Sequence, residues 1–457
     1  MRIGIIGAGP GGYEAAIAAA KSGAEVYLFE KDKVGGTCLN RGCIPTKAFW
    51  KNGEVANTLR KSSDFGFELE TFRFSMEKAQ NRKNEIVSRL VDGIEHLLAA
   101  YPNLHILRGN ARLEKEKTIQ IEHESYVCDA IIIATGAKPF RLPIRGANFP
   151  EVWTSEEALN LRELPKSLVI IGAGVIGLEF AAIFNALGVK VTVVSDFLLP
   201  PADGEIQKRI KTTFKRSGVD MQIGFLAQSI EKDGENLRIV CKKMGKEKSL
   251  ELNAQNVLMA TGRIPVVEDL GLKNLGLDFD KQGIGVDENF ETNIPGIYAI
   301  GDVVRKGIQL AHVASAQGIF VADRLTGVEN KTDFSLYPAC YFFYPEMAQV
   351  GETEESLKKK GKEYLAFKFQ FAANGKALTL GEGEGFVKIL TDTNSEEIFG
   401  VHVWGSHASD IIHEGVIAMA HHLSPKALSE TIFAHPSLSE TFSETVHQSI
   451  GRSVHSL

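Results

Sequence analysis

Two stretches of this chain repeat one pattern of apolar residues and glycines. IGIIGAGPGGYEAAIAAAKSGAEVYLFE at 3–30 and LVIIGAGVIGLEFAAIFNALGVKVTVVS at 168–195 share one pattern, with their glycines offset by 165 residues. Each copy reads as a buried strand, a Gly-rich turn, an Ala-rich helix and a second strand. Gly7, Gly9 and Gly12 open the first helix, and Gly172, Gly174 and Gly177 open the second. Such glycines permit the turn, the close approach of a pyrophosphate and tight helix packing, while free N–H groups at the helix start face the phosphate charge. Two bound dinucleotides are implied. Glu30 ends the second strand of the first copy, where an acid meets an adenosine ribose. The same offset in the second copy lands on Ser195, with Asp196 next to it and no Arg beside it, so an NAD preference weaker than usual is expected.

Two further strands share an ending, IIIATG at 131–136 and VLMATG at 257–262. They read as the closing strands of the two units, which adds Thr135 and Gly136 to the first site and Gly262 to the second. TNIPGIYAIGD at 292–302 then needs a place in the first unit, so the second unit reads as an insertion. Asp302 follows that strand and could accept hydrogen bonds from a polyol or ribityl hydroxyl. From about 334 the chain has strands and helices without a Gly-rich loop, a separate module. The expected fold class is α/β: two Rossmann-like, three-layer ββα dinucleotide-binding domains plus an α+β C-terminal dimerisation domain. Residues 1–145 and 265–333 form the first, 146–264 the second and 334–457 the third, which agrees with ~150 residues per domain in a chain of 457.

GGTCLNRGCIPTK at 35–47 holds two of the five cysteines, Cys38 and Cys43. They could be small buried hydrophobes, half of a zinc site or a catalytic disulfide. A chain of this size buries large cores and needs no structural staple. A zinc site needs more thiol or imidazole ligands, and no second CxxC or paired-His motif appears, so no metal is expected. The loop between the two can bring the sulfurs into disulfide geometry, with Cα atoms within roughly 4.4–6.8 Å. Cys128, Cys241 and Cys340 are isolated and read as buried hydrophobes. Lys47 lies close to one helical turn beyond Cys43. Glu179 interrupts an apolar helix, and a buried carboxylate is costly unless paired, so a Lys47–Glu179 ion pair accounts for both. Near the C-terminus His435 precedes Pro436, which disfavours helix at the His. Ser437 and Glu440 read as a capping box for the last helix.

Charge excludes other classes. With 51 Lys and Arg against 57 Asp and Glu, well mixed, no basic excess points to nucleic acid or an anionic membrane. No apolar stretch reaches the ~18 residues of a membrane span. MRIGIIGAG is too short in its apolar part for a secretory signal, so a cytoplasmic protein is expected, in a compartment where a disulfide is catalytic or sensing.

Taken together, GGTCLNRGCIPTK, both GxGxxG units, both ATG strands, TNIPGIYAIGD and AHPSLSE resemble the flavin-dependent pyridine nucleotide-disulfide oxidoreductases across nearly the whole chain. CLNRGCIP, FAANGKA at 371–377 and VHVWGSHASDIIHEGVIAM at 401–419 resemble the dihydrolipoamide dehydrogenases more than the glutathione reductases, and no cysteine pair of the mercuric reductase kind follows Cys340. The resemblance implies FAD held by the first unit, with Ala311 among its ligands, and NAD by the second. It implies Cys38 as the sulfur facing substrate, Cys43 as the one beside the flavin, and Lys47 with Glu179 near the flavin. His435 would be the acid/base, oriented by Glu440; Phe433 stands where the dehydrogenases often have a second His. The implied reaction oxidises a dihydrolipoyl group through the Cys38–Cys43 disulfide and FAD to NAD. The implied partners are a lipoyl-bearing acyltransferase or carrier protein of a 2-oxo acid dehydrogenase or glycine cleavage complex, and a second copy in a homodimer. The alternatives are an NAD(P)H-dependent reductase of another disulfide and a non-catalytic, redox-sensing flavoprotein subunit.

Overall fold

The computed structural model describes residues 1–115 and 117–455. β1 (Arg2–Ile6) leads through a glycine turn into α1 (Pro10–Lys21), and the chain returns along β2 (Glu25–Glu30), parallel to β1. Ile3, Ile5, Val26 and Leu28 are wholly buried, since both faces of this sheet are covered. α1 lies so close to the turn that a Cβ on Gly12 would stand 1.8 Å from the Gly7 carbonyl oxygen. α2 (Gly36–Arg41), α3 (Cys43–Arg60) and the long α4 (Met76–Ala99) precede β3 (Leu104–Arg108). The sheet order is Ile297–Ala299, Ala130–Ile133, β1, β2, β3, all parallel. Its edge strand Ile297–Ala299 therefore comes from far down the chain.

Between those strands lies a second sheet of the same build, ordered Asp220–Ile223, Lys190–Ser195, Ser167–Ile171, Asn256–Met259, Val152–Trp153, again parallel throughout. The chain leaves and re-enters the first unit through an antiparallel ribbon that pairs Ala137–Pro139 with Arg263–Pro265. Each parallel sheet carries helices on one face and a three-stranded antiparallel meander on the other. Ala111–Leu113, Thr118–Ile121 and Glu124–Val127 cover the first sheet, where Leu113 and Ile119 pack on Ile131 and Ile133. Phe225–Asp233, Asn236–Lys243 and Ser249–Ala254 cover the second, where Phe225 and Ile239 pack on Val169 and Ile171. This is the three-layer ββα arrangement that the repeat implies.

The C-terminal unit is an antiparallel sheet ordered Pro338–Tyr341, Met347–Gly351, Ile398–Trp404, Phe386–Thr391, Leu365–Gln370. Helices Ala408–Ala420 and Glu440–Ser449 cover one face through Ile412 and Phe442. Its other face shares a core with the second unit, where Met347, Phe386 and Trp404 join Phe214 and Phe343. At that junction the buried Lys388 donates to Asp203 at 2.6 Å and to Glu354 at 2.7 Å, so a cation taken out of water is paired. Among the described residues no helix is long and apolar enough to cross a membrane.

Candidate active site

A single cleft of about 2150 Å³ runs between the three units and is lined by both glycine turns. Gly9 and Gly174 are the N-caps of their helices, and neither offers a side chain to the free N–H groups of the first turn. A Cβ on Gly174 would meet nothing within 4 Å, which leaves the backbone open to the cleft, whereas one on Gly177 would stand 2.0 Å from the Gly172 carbonyl oxygen. Two anion-ready helix starts thus face one cavity, as two pyrophosphates require. Glu30 is buried and its carboxylate accepts from the Ala8 amide at 2.7 Å and the Asp32 amide at 2.8 Å, which ties the end of β2 to the glycine turn.

Thr135 and Gly136 line the cleft at the end of their strand, and the Thr135 hydroxyl donates to the Val266 carbonyl at 2.7 Å. Ala311 opens the helix Ala311–Thr326, again without a side-chain cap, and faces the cleft. Asp302 lies there too. Burial raises its carboxyl above the usual range, opposed by Arg263, whose Nε is 3.7 Å from Asp302 Oδ2. Gly262 lines the second half, with φ of +109°. The residues present suit a flavin dinucleotide in the first unit and a nicotinamide dinucleotide in the second.

The cysteine pair sits between these halves. Cys38 lies in α2 and Cys43 is the first residue of α3. A Cβ on Gly42 would come 2.9 Å from the Thr37 carbonyl oxygen and 3.3 Å from Cys38 Cα, so only glycine lets the two helices meet this closely. The Cys38 thiol donates to Cys43 in the reduced pair. That bond pulls the Cys43 thiol below its ordinary range; burial opposes it, and the Lys47 charge reinforces it. The same bond, with burial, drives Cys38 upward. Cys43 at a helix N-terminus is the one poised as thiolate.

Lys47 donates to both oxygens of Glu179 at 2.9 Å. The Glu179 side chain is only 5% exposed and also accepts from the Phe342 amide at 3.1 Å. Lys47 Nζ stands 4.5 Å from the centre of the Phe342 ring. Phe342 carries no motif that marks it in advance. Cys340, two residues before it, packs on the C-terminal core but is only half-buried and lines the same cleft, which corrects the reading of an isolated, buried hydrophobe. Sequence periodicity could not show this, because the strand's exposure depends on where the third unit docks.

His435 and Glu440 stand elsewhere. His435 Nδ1 is 2.9 Å from Glu440 Oε1, and the Ser437 amide donates to Glu440 Oε2 at 2.8 Å. Burial raises the Glu440 carboxyl, but the Ser437 amide and His435 outweigh it and hold it low. The capping box forms only by half: the last helix starts at Glu440 with Ser439 as N-cap, and among the described residues the Ser437 hydroxyl has no partner. The His435 side chain is 80% exposed and is absent from the residues lining the cleft. Within one chain His435 and the two thiols do not line one cleft.

Residues 1–318 match the family model described as pyridine nucleotide-disulphide oxidoreductase, and 337–446 match that family's dimerisation domain. The chain belongs to this family. It is 37% identical to a dihydrolipoyl dehydrogenase of Bacillus subtilis, over 99% of this chain and 98% of that protein. It is 38% identical to one of Corynebacterium glutamicum, over 97% and 96%. Among solved structures, LpdA from Mycobacterium tuberculosis superposes with a TM-score of 0.90 at 26% identity, covering 98% of this chain and 99% of that one. The HOCl-induced flavoprotein disulfide reductase RclA from Escherichia coli gives 0.87 at 28% identity, with the same coverage. The α/β architecture, the cysteine pair in a dinucleotide cleft and the dimerisation domain are all features of such an oxidoreductase.

Proposed function

We propose that this chain is a dihydrolipoyl dehydrogenase with FAD and NAD as cofactors. The observation that carries the reading is the Cys38–Cys43 pair beside the Lys47–Glu179 ion pair in one cleft spanning two dinucleotide turns, in a chain similar end to end to dihydrolipoyl dehydrogenases. Bound FAD supplies a two-electron acceptor and bound NAD+ its final hydride acceptor.

The protein's own residues handle thiols and protons. His435 Nε2 takes the proton of a substrate thiol, Glu440 holding the Nδ1 side of the ring. The substrate thiolate attacks Cys38 Sγ, the Cys38–Cys43 bond breaks, and Cys43 leaves as a thiolate that Lys47 and the α3 N-terminus stabilise. The second substrate thiol attacks the substrate sulfur of the mixed disulfide, its proton passing to Cys38 as that sulfur is released, so lipoyl disulfide forms as the protein disulfide becomes a dithiol. Because His435 faces outward, we assign it to the cleft of a second copy, in a homodimer with two shared sites. The lipoyl group would arrive on an acyltransferase or carrier protein of a 2-oxo acid dehydrogenase or glycine cleavage complex. We retain the domain limits 1–145 with 265–333, 146–264 and 334–457, and a cytoplasmic location, as parts of this proposal.

Turnover of dihydrolipoamide with NAD+ by the flavin-loaded protein tests the reading. Likeness to RclA keeps a reductase of another disulfide as the competitor. Faster reduction of glutathione disulfide by NADPH than oxidation of dihydrolipoamide by NAD+ would replace the proposal with that one.

A further inference from the structure

FAANGKA at 371–377 supplies none of the groups that handle thiols or protons, yet it touches the segment that does. Phe371, just after the strand Leu365–Gln370, is wholly buried in the C-terminal core, and its carbonyl accepts the Asn374 amide at 2.9 Å. Asn374 is the N-cap of the short helix Gly375–Thr379 and is only 4% exposed. Its Oδ1 accepts the Ala377 amide at 3.0 Å, and its Nδ2 donates to the Ser437 carbonyl at 3.0 Å, 63 residues away. One partner donates and the other accepts, which fixes the way the side-chain amide faces. Capping needs only an acceptor, which Ser or Asp supplies equally well. The donor is what Asn adds, and it goes to Ser437. The Ser437 amide in turn donates to Glu440, which meets His435, so Ser437 is held through both of its backbone groups. Other holds sit at the ends of the segment: Phe433 packs on Phe442 with ring centres 6.3 Å apart, and Ser439 hydrogen-bonds the Glu414 carboxyl. Among the described residues, Asn374 alone reaches residues 434–438 by a hydrogen bond from another part of the chain.

We propose that Asn374 is a positioning residue for the base: by holding the Ser437 carbonyl it fixes the turn whose amide holds Glu440, and through Glu440 it aims the His435 ring. The inference rests on the role given to His435 above. A ring that is 80% exposed has little packing of its own, so its direction depends on Glu440 and on the backbone of this turn. A small misplacement of a base relative to the thiol it serves is costly in rate. Asn374 ties that turn to the buried edge of the C-terminal sheet, a rigid support for an irregular segment.

Asn374→Ser separates this role from capping, because serine caps a helix about as well but its shorter side chain leaves the Ser437 carbonyl without its donor. In the FAD-loaded protein it should lower kcat for dihydrolipoamide oxidation by NAD+ about tenfold, the scale of a base held less well in line. NADH oxidation by ferricyanide, in which no substrate thiol gives up a proton, should stay within about twofold of the parent. Asn374→Asp keeps the cap and the shape but turns a second acceptor toward the Ser437 carbonyl, so it should show the same split, at least as large. Equal losses in both reactions would make Asn374 a structural residue only, and a parental dihydrolipoamide rate in Asn374→Ser would leave it without a role; either result overturns the proposal. A second measurement is independent of turnover. Amide hydrogen exchange across 433–441 should be about tenfold faster in Asn374→Ser, with the rest of the C-terminal unit unchanged, and parental exchange in that segment would also overturn the assignment. If the parent does not oxidise dihydrolipoamide while this exchange pattern holds, the proposed reaction falls and Asn374 stands as the hold on the His435 segment.

Discussion

Removing Lys47 and removing Glu179 should move the Cys43 thiol in opposite directions. Lys47 lies one helical turn from Cys43 on α3, so its charge stands ~6 Å from the sulfur, worth about 3 kcal/mol to the thiolate at an effective dielectric of ~20. Glu179 is 2.9 Å beyond the ammonium. At ~9 Å it opposes the thiolate by about 2 kcal/mol, which leaves the pair a net gain of about 1 kcal/mol. Lys47→Met should therefore lower the thiolate's acid constant by up to about a hundredfold. Glu179→Gln should raise it about twentyfold, and the double variant should sit about fivefold below the parent. Thiolate absorbance of the reduced, flavin-free protein, titrated against a Cys43→Ser blank, reads each value. Shifts of the same sign for the two single variants would refute the electrostatic account of Cys43.

Gly12→Ala should lose bound flavin and melt well below the parent, because its Cβ would overlap the Gly7 carbonyl; near-parental flavin content after dialysis would count against the packing argument. A Cys38→Ser chain and a His435→Ala chain, each inactive as a homodimer, should regain activity as verified mixed dimers, where one site is intact; no recovery would mean each chain uses its own His435. Burial lifts the Glu414 carboxyl to about 7 against a hydrogen bond from Ser439, so the folded chain holds a proton that the unfolded chain releases, and stability falls as pH rises from the ordinary carboxylate range through 7. Glu414→Gln removes that loss, so its melting temperature relative to the parent should be higher at about pH 8 than at about pH 5, and an equal difference at both would rule the effect out.

What could be read in advance follows from the range of each interaction. The parallel units were legible because a glycine turn between apolar strands is a local instruction: Gly12 and Gly177 are fixed by carbonyls five residues away. The Lys47–Glu179 pair spans 132 residues, yet it was legible because a carboxylate inside an apolar helix has to be neutralised. Phe342 and Cys340 were not. Their place in the cleft depends on how the C-terminal sheet docks on the second unit, through contacts such as Phe343 with Phe214 and Lys388 with Asp203, and no periodicity encodes that docking. Both the Ser437 box and the pairing of Glu440 with His435 were open in the sequence, and Glu440 meets both the Ser437 amide and the ring; what S-x-x-E misplaces is the helix start, which falls at Glu440 itself.

That sharing bears on how the site works. A carboxylate with both oxygens committed, one to a backbone amide of its own turn and one to His435, cannot swing away from the ring as it changes charge. The Ser437 amide and His435 together hold the Glu440 carboxyl low, so a negative charge stays beside the ring. The cost of this placement is that the ring projects from the terminal module into solvent, 80% exposed, while the thiols lie enclosed between the other two units. On the reading proposed above, a ring held this way and pointing outward serves a cleft brought to it by a second copy, and the module that carries it is the one matched by the family's dimerisation domain.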